Sequence, residues 1–186
     1  MNADTASASP PRPTTLLFGE VAVGDKLPEL VVPLTRTLIV STAIASRDYQ
    51  DVHHDAKLAV ERGSKDIFMN ILSTNGIVGR YVTDWTGPGA VLTDVNIRLG
   101  APNYPDDVMT LTGTVTGKDD APAADDTGGV EVTLRGVNSL GDHVTGTVRL
   151  RLPARAADHW RHPAGIGAAA VRCFPRPPFP VGPSVH

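Results

Sequence analysis

Cysteine, aromatic residues and long apolar runs are all scarce in this sequence. Cys173 is its only cysteine, so no internal disulfide can form, and this favours a reducing compartment. No apolar run approaches the roughly 18–20 residues that a membrane-spanning helix needs. The first residues lack the basic and apolar regions of a secretory signal. We therefore expect a cytoplasmic protein that does not enter a membrane.

An excess of positive charge is also missing. The formal net charge is -3 at pH 7, and basic residues are sparse in the middle of the chain. Nucleic acid is therefore not an expected partner. At 186 residues the chain is long enough for one well-packed domain with appendages.

Composition divides the chain into three parts. Residues 1–15 are rich in Ala, Ser, Thr and Pro and predict a disordered N-terminal arm. Residues 16–152 carry periodic apolar patterns and predict a single folded domain. Residues 153–186 contain seven of the sixteen prolines and no sustained period, which predicts a disordered tail. Partner binding by the tail stays open as an alternative.

Helix and strand signals follow one another closely before residue 50. The apolar run at residues 31–40 predicts a strand that Pro33 interrupts at its start. Ser41 or Thr42 can then N-cap a short helix that ends near Tyr49.

An acid and a base, Asp48 and His53, lie at a predicted break between two helices. Asp55 can cap a second helix over residues 56–62, and Gly63 can stop it. On one continuous helix, positions five apart would point about 140° away from each other. A break lets both side chains enter one cavity, where a carboxylate and an imidazole can share a water and carry out acid/base chemistry. By spacing alone, a helix cap and a surface histidine are the more common explanation for such a pair.

The strongest helical pattern covers residues 64–85. Ser64 is a plausible N-cap, and Asp66 suits the positive end of a helix dipole. Gly76 and Gly79 inside the pattern suggest close approach by a strand or a ligand. The apolar positions of this predicted helix are Ile67, Phe68, Ile71, Leu72, Thr74, Val78, Tyr81 and Val82.

Alternating residues predict four antiparallel strands between residues 90 and 152. A long helix packed on such a sheet is an α+β domain. The inward positions are predicted to be Val91, Thr93, Val95, Ile97 and Leu99; Met109, Leu111, Gly113 and Val115; Val130, Val132 and Leu134; and Val144, Val148, Leu150 and Leu152.

The order of these elements and the D-x-x-x-x-H spacing resemble the MaoC-like (R)-specific enoyl-CoA hydratases. Their motif places a catalytic Asp five residues before a catalytic His and a second Asp two residues later, which here are Asp48, His53 and Asp55. The resemblance covers residues 21–152. It implies a hotdog fold, in which an antiparallel sheet wraps a long central helix, and addition of water across the 2,3 double bond of a 2-enoyl-CoA thioester.

Four longer segments carry a closer resemblance. D-V-H-H-D, G-S-K-D-I-F-M-N-I-L, R-Y-V-T-D-W and G-D-H-V-T look like parts of the small catalytic subunit of the heteromeric actinobacterial hydratases. Those enzymes act on steroid side-chain enoyl-CoA thioesters. The resemblance implies a bulky acyl group and a second hotdog subunit in a heterodimer or heterotetramer, with a homodimer as the alternative. It implies no cofactor, because coenzyme A is part of the substrate.

The sequence departs from the family pattern in two places. The family's Asn-Pro is replaced by Gln50-Asp51, and no role for Asp51 follows from the sequence. The family's A-H-G corresponds to Phe68-Met69-Asn70. The resemblance therefore implies that the backbone N–H of Asn70 is the donor to the oxyanion, a role that an early-turn helix amide can fill.

Two other functions stay open at this point. A hotdog thioesterase would cleave the same CoA esters, and a non-catalytic subunit would only stabilise a hydratase complex.

Several further residues carry no predicted chemistry. Metal binding is not expected at His54 and Asp55, since adjacent histidines point apart and Asp55 suits a helix cap. His143 is interpreted as a structural histidine. Trp85 and Tyr104 are interpreted as packing residues, with a place in an acyl pocket as the alternative.

Overall fold

The computed structural model describes residues 14–156. Residues 1–13 of the predicted arm and 157–186 of the predicted tail lie outside the described residues. Among residues 14–156, no helix is both long enough and apolar enough to cross a membrane. The regular elements, in chain order, are β1 (Leu30–Leu34), α1 (Arg36–Ala45), α2 (Ala56–Glu61), α3 (Ile71–Thr86), β2 (Val91–Leu99), β3 (Asp107–Lys118), β4 (Thr127–Asn138) and β5 (Gly141–Pro153).

The five strands form one antiparallel sheet in the order β1-β3-β4-β5-β2. Alternate side chains of β3, β4 and β5 face α3, so the predicted α+β architecture and the inward positions of these three strands are confirmed. The inward residues are Met109, Leu111, Gly113 and Val115 in β3, Val130, Val132 and Leu134 in β4, and Val144, Val148, Leu150 and Leu152 in β5.

The prediction of which β2 residues face the core is only partly confirmed. A β-bulge between Leu92 and Asp94 shifts the register against β5. Since one extra residue reverses the alternation, the face that points at the core changes at the bulge. Val91 and Thr93 are exposed, whereas Leu92, Val95, Ile97 and Leu99 pack against the core.

The prediction of a strand over residues 31–40 was wrong beyond Leu34. Thr35 is the N-cap of α1 and accepts a hydrogen bond from the Leu38 N–H at 3.1 Å, so neither Ser41 nor Thr42 caps this helix. Ile39 and Ala43 are fully buried, and their spacing of four residues puts both on one face of a helix. A run that resembled a strand in sequence therefore belongs to a helix with one buried face.

The prediction that the central helix begins at Ser64 was also wrong, because α3 begins at Ile71 with Asn70 as its N-cap. Backbone groups that a helix would need are used elsewhere: the Phe68 N–H donates to the Val52 carbonyl at 3.1 Å, and the Met69 N–H donates to the Asn103 carbonyl at 3.0 Å. These bonds hold the segment before Asn70 in a non-helical conformation.

The inward face of α3 is more polar than the apolar pattern predicted. Ile71 and Leu72, both predicted to be buried, are each 49% exposed. A Cβ at Gly79 would meet Leu92 Cδ1 at 3.6 Å, an ordinary contact, whereas a Cβ at Gly76 would meet nothing within 4 Å. The residues of α3 that are buried are Ser73, Thr74, Val78, Tyr81, Val82 and Thr86.

His143 is a buried, hydrogen-bonded residue at the start of β5, as predicted. It is 2% exposed. Its Nε2 lies 2.9 Å from Thr74 Oγ1 on α3, and its Nδ1 lies 2.7 Å from the Ala101 carbonyl oxygen. Burial lowers the pKa of His143 from its usual value, although the bond to Ala101 acts in the opposite direction. His143 therefore joins α3 to the sheet as a neutral imidazole.

Stability should fall on mild acidification because of His143. The unfolded chain binds a proton at His143 near pH 6.5, whereas the folded chain binds it only at lower pH. The contribution is complete above pH 6.5 and is lost as the pH falls, by up to about 1.4 kcal/mol per pH unit. Urea unfolding between pH 7.5 and 5.5 should show a shallower pH dependence for His143→Gln than for the wild type. Exposed His54→Gln is the control, and equal slopes for His143→Gln and the wild type would contradict the assignment.

Candidate active site

A Schellman motif at the end of α1 positions Asp48. The Arg47 N–H donates to the Ile44 carbonyl and the Asp48 N–H donates to the Ala43 carbonyl, both at 3.0 Å. Arg47 adopts a left-handed conformation with φ of 58°, which turns the chain sharply away from the helix axis. Asp48 therefore leaves the end of the helix in a defined direction.

Arg47→Gly should stabilise the protein. A left-handed conformation costs a residue with a side chain roughly 1–2 kcal/mol, and glycine avoids this cost while losing more entropy on folding. We expect the free energy of unfolding to rise by about 1 kcal/mol in urea titrations. Arg80→Gly, inside α3, is the contrast and should lower it by about 1 kcal/mol. Destabilisation of the same size in both variants would contradict strain at Arg47.

His53 is held by a short 3₁₀ turn over Asp51–His53. It is 6% exposed. Its Nδ1 lies 2.7 Å from the Phe68 carbonyl oxygen, and the Phe68 ring packs edge to face against the imidazole at 4.9 Å between centroids. Because a carbonyl oxygen can only accept, Nδ1 carries a hydrogen. The other ring nitrogen, Nε2, faces Asp48.

Asp48 and His53 face each other across 3.4 Å, measured from Oδ2 to Nε2. In the neutral imidazole Nε2 is an acceptor, and an ionised carboxylate is an acceptor as well. Two acceptors at this distance are not joined by a good direct hydrogen bond, but one water can donate a hydrogen to each. The irregular segment between α1 and α2 thus brings together two acceptors to which one water can bond.

The Asp48 carboxylate is kept in its ionised form. Asn70 Nδ2 donates to Asp48 Oδ2 at 2.9 Å, and the Gln50 N–H donates more weakly to Oδ1 at 3.4 Å. The bond from Asn70 is the main reason that the pKa of Asp48 lies below its usual value, and it outweighs the opposing effect of burial. Asp48 is therefore a carboxylate at neutral pH.

Asn70, predicted as a donor through its backbone, lies beside this pair as the N-cap of α3. Within residues 14–156 its N–H donates to no protein acceptor. The N–H is also at the positive end of a 16-residue helix. Asn70 thus combines an unused backbone donor with a side chain that contacts Asp48, and it is the cap of α3 rather than part of its first turn.

The segment between acid and base is braced by contacts that the sequence did not indicate. Asp51 Oδ2 accepts from Arg62 Nε at 2.9 Å and from Arg62 Nη2 at 2.7 Å. The His54 ring bonds to the Tyr49 carbonyl oxygen through Nε2 at 3.1 Å. Asp55 caps α2 by accepting from the Leu58 N–H, as predicted. An ion pair between residues eleven apart leaves no periodic signal, so the role of Asp51 could not be predicted.

Of the two aromatic residues singled out in the sequence, Tyr104 packs on the ring that contacts His53, whereas Trp85 lies elsewhere on α3. Tyr104 packs edge to face on Phe68 at 6.5 Å between centroids, with Lys65 Nζ 5.7 Å from its ring. Trp85 lies near the other end of α3 and lines a cavity of about 140 Å³ together with Tyr81. Packing explains Tyr104, and neither residue contacts Asp48.

Three cavities formed by residues 14–156, with volumes of about 490, 140 and 210 Å³, are lined by neither Asp48 nor His53. Large apolar side chains that are close in sequence to Asp48 or to Asn70 are exposed to solvent. These are Ile44, Tyr49, Ile71 and Leu72.

Solved structures share this combination of one long helix and an antiparallel sheet. The R-hydratase PhaJ1 from Pseudomonas aeruginosa superimposes with a TM-score of 0.63 at 22% identity, over 76% of this chain and 88% of that one. The (R)-hydratase from A. caviae superimposes with a TM-score of 0.61 at 20% identity, over 72% and 98%. The fold is thus the hotdog fold of the MaoC-like proteins.

Comparison of sequences identifies a more similar protein within this class. The 3-oxo-4,17-pregnadiene-20-carboxyl-CoA hydratase beta subunit of Mycobacterium tuberculosis is 52% identical over 130 residues, which are 70% of this chain and 95% of that protein. A chain in the ChsH1-ChsH2 complex from the same organism is 50% identical, with a TM-score of 0.65 over 70% of this chain and 98% of that one. No family model matches. The chain belongs to the MaoC-like hydratase family that includes this beta subunit.

Proposed function

We propose that this chain is the catalytic subunit of an enoyl-CoA hydratase that adds water across the 2,3 double bond of a 2-enoyl-CoA thioester. The observation that carries the proposal is the 3.4 Å pairing of Asp48 Oδ2 and His53 Nε2 beside a free backbone N–H at the start of α3. Membership in the hydratase family supports the same activity.

In this proposal Asp48 and His53 act at the double bond of the substrate, and Asn70 acts at its thioester oxygen. Asp48 and His53 hold one water, whose oxygen forms a bond to C3 while one of the two side chains takes its proton. The electron pair of the double bond moves toward the thioester, and the Asn70 N–H donates to the enolate oxygen that develops. A proton held by the dyad is then delivered to C2, so that atoms and charge balance. Hydration is not a redox reaction, and coenzyme A enters as part of the substrate.

The acyl group in this proposal is bulky and resembles a steroid side chain. The 52% identical relative is the beta subunit of a hydratase of 3-oxo-4,17-pregnadiene-20-carboxyl-CoA, a polycyclic thioester. The exposed apolar side chains of Ile44, Tyr49, Ile71 and Leu72 support the same choice. A polycyclic group can cover them and remove apolar surface from water.

A second hotdog subunit is the proposed partner. The similar chain of known structure comes from a complex of two different subunits. In this chain β2 is an edge strand of nine residues, and its outer side is unpaired among the described residues. A partner strand can continue the sheet there. The same partner could contribute walls to the substrate site, because the three cavities formed by residues 14–156 are lined by neither Asp48 nor His53.

We also propose that the protein acts in the cytoplasm. A single cysteine suits a reducing compartment.

Loss of enoyl-thioester absorbance, measured with and without a candidate partner subunit, tests the function. Hydration should consume the conjugated double bond without releasing a thiol. A thiol reagent added to a saturated acyl-CoA separates the alternative, because a thioesterase would release free coenzyme A. A stable homodimer of this chain with full activity would reject the need for a second subunit. Activity from the partner alone would identify this chain as a non-catalytic subunit.

A further inference from the structure

We propose that the side-chain amide of Asn70 is a positioning residue that holds the Asp48 carboxylate at a fixed place relative to His53 and to the backbone N–H of Asn70 itself. The inference rests on the proposed hydratase function. It adds a role for a side chain where the family resemblance implies only a backbone donor.

The orientation of this amide is determined by its partners. Asn70 Oδ1 accepts from the Ser73 N–H at 2.9 Å and also from the Ser73 hydroxyl. A backbone N–H can only donate, so the amide oxygen faces the helix and Nδ2 faces away from it. Nδ2 then donates to Asp48 Oδ2 at 2.9 Å and to Ser46 Oγ at 3.0 Å. Asn70 is 2% exposed, and both hydrogens of its amide are used.

One carboxylate oxygen is shared by both interactions. Asp48 Oδ2 accepts from Asn70 and is also the oxygen that faces His53 Nε2 at 3.4 Å. Without the amide, the Asp48 carboxylate could rotate, and Oδ2 would no longer lie beside His53 Nε2. The water is proposed to bond to both of these acceptors, so it would then lose one of its partners. The amide therefore fixes the orientation of Asp48 that the chemistry needs.

Asn70 also contributes to both halves of the proposed site, the one that holds the water and the one that binds the enolate oxygen. Its side chain fixes the group that handles the water, and its backbone N–H is the proposed donor to the enolate oxygen. Both groups belong to one residue, whose backbone is fixed as the N-cap of α3. The distance between the water and the thioester oxygen is thus set largely within a single residue and its hydrogen bonds.

Two substitutions separate positioning from helix capping. Asn70→Ser keeps a good N-cap acceptor but removes the donor to Asp48. Asn70→Asp also keeps the acceptor, but it places a second carboxylate against Asp48. The groups that face Asp48 are Asn70, the Gln50 N–H and one titratable side chain, His53, so a new charge at residue 70 should be felt directly.

The variants should be measured in the complete complex, with kcat and KM followed across pH and with thermal unfolding as a second readout. We expect Asn70→Ser to lower kcat by about 10- to 100-fold with little change in KM or melting temperature. In Asn70→Asp the acidic limb of the kcat profile should move to higher pH, since a like charge favours protonation of Asp48. Asn75→Ser, five residues further along the chain in α3, is the matched control and should change neither kcat nor its pH profile.

The outcomes separate this inference from the proposed function. Wild-type kcat in Asn70→Ser, together with an unmoved pH profile in Asn70→Asp, would overturn the positioning role while hydration itself stands. If Asn70→Ser fails to fold, the pH profile of Asn70→Asp decides. A wild-type complex that hydrates no enoyl thioester would instead reject the function on which the inference rests.

Discussion

Hydration by the complete enzyme is expected to fall by about 10²–10⁴-fold in Asp48→Asn and again in His53→Ala. Asp48→Asn keeps the size of the side chain and an oxygen that can accept from Asn70, but it removes the negative charge that polarises the water. His53→Ala removes the second acceptor, Nε2, and leaves the Phe68 carbonyl without its partner. The rate at which the enoyl-thioester absorbance falls under saturating substrate gives the ratio of wild-type to variant kcat.

The loss must come from chemistry rather than from unfolding or lost assembly. Asp84→Asn removes a carboxylate from the exposed side of α3 and is the matched control for Asp48→Asn. Circular dichroism and gel filtration with the partner should be the same for wild type and both dyad variants. Retained turnover in a folded, assembled Asp48→Asn enzyme would exclude Asp48 as an essential base or acid.

A methyl group at Gly146 is expected to disrupt the sheet. A Cβ at this position would contact the Asn96 carbonyl oxygen and would lie 2.8 Å from Ile97 Cα, both in the backbone of β2. Backbone atoms cannot move aside as a side chain can. Gly146→Ala should therefore lower the free energy of unfolding by about 3 kcal/mol or more, at the upper end of the usual cost of overpacking. Urea unfolding of the isolated chain measures the effect.

Gly76→Ala provides the opposite result in the same assay. A Cβ there would meet nothing within 4 Å, and alanine is favoured over glycine in a helix by about 1 kcal/mol. The isolated chain should become more stable by that amount. Similar changes in the two variants would show that close contact does not explain the glycine at 146.

Strand patterns of period two were reliable in this chain because burial of one sheet face leaves a strict alternation. Val130, Val132 and Leu134 in β4 are examples. The same rule failed in β2, where the bulge after Leu92 reverses the alternation without any break in composition. A bulge depends on pairing with β5, so a pattern read along one strand could not locate it.

Helix starts were less predictable because capping signals compete. Ser64 looked like an N-cap, but its hydroxyl donates to the Asp66 carbonyl at 2.6 Å, and the Asp66 carboxylate pairs with Arg36. Ile67 matched the helical period and is buried, yet it lies in the extended segment before α3. Tertiary hydrogen bonds from distant segments decided these boundaries.

The two parts of the candidate site were predictable to different degrees. The spacing of Asp48 and His53, read with the helix signals around them, was enough to predict that the two side chains come together, and they lie 3.4 Å apart. The side chain of Asn70 was not predictable, because its partners at Ser46 and Asp48 are more than twenty residues away. Only the folded chain shows that an N-cap also serves the acid.

The two edge strands of the sheet, β1 and β2, differ in how readily they can pair with a further strand. β1 has five residues and contains Pro33, whose nitrogen cannot donate, whereas β2 has nine residues and no proline. Pairing of β2 with a partner strand would occupy the longer edge of this sheet and leave β1 as the remaining edge of this chain. A short edge strand that contains proline is a poor template for a further strand, so β1 protects this chain against open-ended strand addition.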